Sequence, residues 1–192
     1  MEMTREGKYI IAINGGREAI YGIRLAAEFL SRGSHVHLIC KDNAESGVSE
    51  GALKEQTDML RNRYPERFVM ENNRDYECNL YKGAVSFDAM IVVPASIQDV
   101  IDINDHKTDS LILKTADNAR KQNRRLILVA NIDRFTAENL ETMLSLAKEG
   151  ADIIPAAPPF FHIKSTLEDM IDYTVSNVLN LLNIDNTVNP KW

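Results

Sequence analysis

Cysteine is scarce in this chain. Its two residues, Cys40 and Cys78, cannot build a disulfide framework and stand at no metal-ligand spacing with the four histidines, so no metal is expected and a reducing compartment fits best. Long apolar runs are missing as well. No stretch approaches the roughly 18 residues of a membrane span, and residues 1–8 lack the apolar segment of a secretion signal. A cytoplasmic protein is expected, with no membrane partner. Basic charge is short: 22 Lys and Arg face 28 Asp and Glu, a net charge of -6. That balance argues against a nucleic-acid partner, because neutralising phosphates needs a concentrated cationic excess. Two short basic clusters, residues 61–67 and 120–125, read as solvated helix faces. Repeats, low-complexity tracts and linkers are lacking too, so residues 1–192 are expected to form one domain. At 44% hydrophobic composition the chain has material for one sizeable core.

What is present is an alternation of short Ile, Val and Leu runs with longer amphipathic stretches, the pattern of a mostly parallel sheet with crossover helices. Strands are expected at residues 9–13, 35–40, 89–94 and 125–130, with a fifth at 151–155. Met90-Ile91-Val92-Val93 and Leu126-Ile127-Leu128-Val129 are apolar on both side-chain parities, which implies strands covered by helices on both faces. Helices are expected at 17–30, 50–63, 96–103, 110–121, 136–148 and 166–182, with Thr136 or Asp133 capping the fifth. The weakest periodicity lies between Gly51 and Phe87, where Asn72-Asn73-Arg74-Asp75 reads as an exposed turn. The fold class is therefore a Rossmann-like (flavodoxin-like) three-layer α/β fold.

In such a sheet ligands bind beyond the carboxyl ends of the strands. The candidate loops are Asn14-Gly15-Gly16-Arg17-Glu18, Lys41-Asp42-Asn43 and Pro94-Ala95-Ser96. Gly15-Gly16 lets a backbone approach a ligand closely, and Arg17 offers a fixed charge for a phosphate. The same Gly-Gly reads equally as a tight structural turn, since it lacks both the G-x-G-x-x-G and the Walker spacing. Ser96 suits a flavin or phosphate contact and suits a helix N-cap as well. Cys40, ending a buried strand, reads as a small core hydrophobe. His162 after Phe160-Phe161 reads as a packing residue before a catalytic one. Asp99, Asp102 and Asp105 fall at i, i+3 and i+6, and read as a solvated acidic helix face.

Several segments resemble the UbiX-type flavin prenyltransferases. They are Ala19-Ile20-Tyr21-Gly22-Ile23-Arg24-Leu25 after a Gly-containing loop, Val36-His37-Leu38-Ile39, Met90 to Ser96, and Asp109 to Asp117. In register follow Lys121 with Arg124 to Leu128, Leu140 to Leu144, Gly150 to Pro155, Pro159-Phe160-Phe161-His162 and the terminal Lys191-Trp192. Order and spacing hold over nearly the whole chain apart from residues 51–87. The resemblance implies an FMN-binding homo-oligomer, trimer-based and commonly dodecameric, with flavin held between subunits. Its chemistry joins a dimethylallyl group from an isoprenoid phosphate to reduced FMN. Pro94-Ala95-Ser96 also looks like the start of a Pro-Ala-Ser-Ala-Asn-Thr motif in related flavoproteins that decarboxylate cysteine residues.

The departures are as specific as the matches. The family's first loop reads Gly-Ala-Ser-Gly, and here Arg17 takes the Ser position and Glu18 the last Gly. A flavin-side Thr becomes Asp99, whose charge is expected to repel a nearby FMN phosphate. An Arg-Glu pair falls on Asn131 and Ile132, a Tyr on Phe161, a late-helix Arg on Asn177, and another Arg on Lys114. Lys121 is retained, and Glu50 stands near the family's Glu after the second strand. By the resemblance, the cofactor-binding set is Gly15, Gly16, Arg17, Cys40, Pro94, Ser96, Asp99 and Lys121. The reading put first is an FMN-binding flavoprotein whose prenyl-transfer site is diverged. The alternatives are a working prenyltransferase and a non-enzymatic partner subunit of a decarboxylase system.

Overall fold

Six runs of β-branched and aliphatic residues supply the strands. The computed structural model describes residues 6–13, 19–41, 52–156 and 166–188. Its strands are β1 (Lys8–Ile13), β2 (His35–Cys40), β3 (Phe68–Asn72), β4 (Ala89–Ala95), β5 (Arg125–Ala130) and β6 (Asp152–Pro155). Its helices are α1 (Ala19–Ser31), α2 (Ala52–Arg63), α3 (Ile97–Asn104), α4 (Leu111–Lys121), α5 (Ala137–Lys148) and α6 (Leu167–Leu181). The strands form one sheet in the order β3-β2-β1-β4-β5-β6, and all five pairings are parallel. Among the described residues no helix is long and apolar enough to cross a membrane.

The expected two-sided burial is realised by simple alternation. Ile11, Ile13, Ile91, Val93, Ile127 and Val129 point to one face, where Leu25, Phe29, Val175 and Leu179 of α1 and α6 cover them. Ile10, Ala12, Met90, Val92, Leu126 and Leu128 point to the other, under Val100, Ile103, Ala116 and Leu146 of α3, α4 and α5. The stacked rings of Tyr9 and Phe29, 3.9 Å between centroids, tie β1 to α1.

Helix starts follow local chemistry. Ser96, Ser110, Thr136 and Thr166 are the N-caps of α3, α4, α5 and α6, each accepting a backbone N–H from the third helical residue. This settles the fifth expected helix in favour of Thr136 over Asp133.

Between residues 51 and 87 the sequence reading falls short. β3 is an edge strand with Phe68 buried, Val69 exposed and Met70 half-buried, so its three apolar residues carry too little pattern to announce it. The expected turn exists, with Arg74 N–H donating to Asn72 Oδ1 at 2.8 Å. One member is not exposed, however. Asn73 is buried; its carbonyl accepts from Leu111 N–H at 2.9 Å and its Oδ1 from Ile112 N–H at 3.0 Å, satisfying two of the amides that a helix start leaves without partners. In the cluster at residues 120–125, Lys121 and Arg124 are exposed as expected of a solvated face, and Arg120 departs from it. Arg120 is nearly buried, at 7% side-chain exposure, because its guanidinium donates to the Ile103 carbonyl and to Glu149.

Two substitutions test this framework. A Cβ added at Gly22 stands 2.2 Å from Ile13 Cγ2, so Gly22→Ala is expected to lower stability by about 1–3 kcal/mol despite its better helix propensity. Asn73→Ala removes one acceptor from the start of α4 and is expected to cost about 1–3 kcal/mol. Urea unfolding measures both, and unchanged midpoints contradict the packing described.

Candidate functional site

Chain direction reverses once across the sheet. From β1 the chain builds outward through β2 to β3, then crosses back to place β4, β5 and β6 on the other side. The crevice beyond the carboxyl ends of β1 and β4 is therefore the switch point where ligands of doubly wound sheets bind. Gly22 lets α1 lie against Ile13, the last residue of β1. Within Ala19–Ser31 the first turn of α1 carries no acidic residue, and a helix start is the end that attracts anions.

Across this crevice runs a chain of polar contacts. Lys41 follows β2 and is fixed by its N–H donating to the Ile13 carbonyl at 3.0 Å. Its ammonium then donates to Asp99 Oδ1 at 3.0 Å. Because β1 lies between β2 and β4, this ion pair passes over the end of β1. Asp99 Oδ2 accepts from Ser96 N–H at 2.8 Å and from the Ser96 hydroxyl, while Ser96 Oγ accepts from Asp99 N–H at 3.2 Å. These reciprocal bonds form a capping box at α3. Burial alone pushes the Asp99 carboxyl upward. The Ser96 hydroxyl and the Lys41 ammonium outweigh that and hold it below the usual carboxylate range.

Asp99 therefore does not belong to a solvated acidic face. Its side chain is 7% exposed, whereas Asp102 pairs with Lys107 at 2.7 Å and Asp105 is the C-cap beyond α3. The charge of Asp99 is paired with the Lys41 ammonium at 3.0 Å. The signal for this was present in the spacing Ser96-x-x-Asp99, which is a capping box before an apolar run. The partnership with Lys41 joins residues 58 apart, and no local pattern encodes it.

The remaining expected residues divide sharply. Gly15, Gly16 and Arg17 lie outside the described residues, as do Glu50, Phe160, Phe161, His162 and Trp192. Cys40 is buried in the core beside Val36 and Leu38, as expected of a small hydrophobe. Pro94 sits in buried β4 after a cis peptide bond. Asn131 N–H donates to the Ala95 carbonyl at 2.9 Å, closing β5 onto β4 beside the crevice. Lys121 is not brought to Ser96 within one chain. It ends α4 just before β5 begins, at the amino edge of the sheet, and β4 separates that edge from Ser96 by on the order of 20 Å. There Lys121 bonds Asp117 at 2.6 Å. Lys114, earlier on α4, lies over the Tyr81 ring at 5.9 Å.

Among the described residues, two cavities open elsewhere. One of about 390 Å³ lies between α1, α2 and α6, lined by Ile23, Met59 and Ile171. The other, about 210 Å³, lies near Arg120 and Arg125. Neither holds the switch-point groups, and the crevice is the better ligand site because its polar groups converge where the topology opens. Lys41 and the start of α1, beside a capping box that holds Asp99 in place, are a donor set that fits an anionic nucleotide such as FMN.

Comparisons with known proteins agree with this architecture. The chain is 32% identical over 188 residues to a protein named flavin prenyltransferase UbiX from Methanocaldococcus jannaschii, covering 96% of this chain and 98% of that one. It is 31% identical over 194 residues to the protein of the same name from Halalkalibacterium halodurans, covering 97% and 94%. Among solved structures it superposes on AnUbiX (PadA1), determined in complex with FMN and dimethylallyl pyrophosphate. The TM-score is 0.85 at 28% identity, over 98% of both chains. The model of the family described as Flavoprotein matches residues 1–179, and with that match the chain belongs to the flavoprotein family.

Proposed function

We propose that the chain binds FMN at the switch-point crevice and that its prenyl-transfer chemistry is altered from that of its relatives. The observation that carries the cofactor reading is the convergence of Lys41, Ser96 and the start of α1 at the reversal between β1 and β4. A similar fold, that of AnUbiX, was determined with FMN in place. Bound flavin would supply the nucleophilic ring on which the family's chemistry depends. This chain's residues would orient it, with Lys41 and the α1 amides meeting anionic oxygens and buried β4 excluding water from beneath.

Altered catalysis is supported by what stands at the resembling positions. Asn131 and Ile132 follow β5 where the family carries Arg and Glu, and Asn177 lies half-buried in α6 where it carries Arg. Replacing Arg by Asn removes a fixed charge and a bidentate donor, and Ile can transfer no proton. A phosphate leaving group then has less stabilisation. The second reading is a working prenyltransferase that takes an isoprenoid phosphate. It is favoured by identities of 31% and 32% over nearly whole chains to proteins with that name. In that reading Lys121, remote from the crevice of its own chain, would serve a neighbouring subunit of a homo-oligomer, whether trimer or dodecamer.

The purified protein is expected to take up FMN saturably and acquire the visible absorbance of flavin. Absence of both ends the cofactor reading. Supplied with reduced FMN and dimethylallyl phosphate, it is expected to give at least a hundredfold less prenylated flavin than an intact relative, on the scale of lost transition-state donors. Turnover matching the relative selects the second reading.

A further inference from the structure

We propose that Lys41 is the cation that receives an anionic oxygen of the bound nucleotide, and that Asp99 is the positioning residue that holds the Lys41 ammonium across the end of β1. The inference deepens the FMN reading and rests on it.

An exposed lysine is a poor recognition element, because a flexible four-carbon stem loses rotamer freedom when its charge is fixed. Here that ordering is largely prepaid by the fold. Asp99 is itself locked: Ser96 N–H and the Ser96 hydroxyl hold Oδ2, which leaves Oδ1 aimed at Lys41 Nζ, 3.0 Å away. The lysine is also anchored at its backbone, one residue beyond β2, through the Ile13 carbonyl. An ammonium has three N–H donors. Among the described residues the ammonium of Lys41 has Asp99 as its hydrogen-bond partner, and its side chain is 47% exposed. Among the described residues its other N–H donors meet no acceptor.

The same geometry sorts charge across the site. The capping box engages two amides at the start of α3, Ser96 N–H with the Asp99 carboxylate and Asp99 N–H with the Ser96 hydroxyl, so fewer donors are left there for a ligand anion. A full positive charge is offered instead by the Lys41 ammonium, which lies over the tip of β1, the strand that leads into α1. The chemistry selected is an anionic oxygen, from the phosphate ester of FMN or from the anionic ring of the reduced flavin. The phosphate is the nearer source, since the start of α1 adds further N–H groups beside it.

The test is titration of FMN and riboflavin, each oxidised and reduced, into the wild-type protein and into Lys41→Gln, Lys41→Arg, Asp99→Asn and the Lys41→Gln/Asp99→Asn double variant, with circular dichroism confirming each fold. Lys41→Gln is expected to weaken FMN about tenfold, the scale of one charge-assisted hydrogen bond, with riboflavin unchanged and Lys41→Arg close to wild type. Asp99→Asn is expected to weaken FMN to a lesser degree and to add little once Lys41 is gone, the mark of a residue acting through its neighbour. Equal loss for both ligands, confined to their reduced forms, supports the same lysine and places the ring at it. A folded Lys41→Gln with unchanged affinities in all four titrations overturns the proposal. Additive losses from the two substitutions overturn the positioning role of Asp99. A wild-type protein that binds neither flavin overturns the FMN reading and this inference together.

Discussion

β1 is paired on both edges and covered on both faces, and that constraint organises the molecule. Ile10 to Ile13 are wholly inaccessible, so their backbone groups depend on the parallel pairing with β2 over Lys8 to Ile13 and with β4 over Tyr9 to Ala12. Only at the end of the strand does the ladder run out. The chain direction reverses there, and Lys41 after β2, Ser96 after β4 and the start of α1 stand at that end of the sheet. Gly22 belongs to the same constraint, because α1 can cover the end of β1 only where no side chain intervenes.

Much of the architecture was legible because its cause is local. Met90 to Val93 and Leu126 to Val129 announce strands buried on both faces, and Thr136 and Thr166 announce helix starts through their hydroxyls. What escaped is non-local or weakly patterned. β3 is short and half exposed, and its place in the sheet is fixed by pairing with β2 and not by its own composition. Asn73 looks like an ordinary turn residue, yet a helix start 38 residues later depends on it. Arg120 looks like surface charge until the Ile103 carbonyl and Glu149 enclose it.

The site divides along the same line. Cys40 and Ser96 lie where the strand pattern put them, and Ser96 is a cap as the sequence allowed. Asp99 reads on the sequence as exposed acid and as a threat to any phosphate. In three dimensions it is buried, held below the usual carboxylate range through Ser96 and Lys41 against the opposing pull of burial, and paired with the Lys41 ammonium. Lys121, by contrast, stands away from the crevice of its own chain, because α4 delivers it to the far edge of the sheet. Retention of a residue type and placement at the site are separate matters here.

The claim on which this account stands is that a flavin nucleotide occupies the opening above β1. A crystal structure of the protein soaked with FMN measures that directly. Flavin density between the carboxyl ends of β2 and β4 is the predicted result. Flavin found instead in the groove between α1, α2 and α6, with the crevice empty, would contradict it.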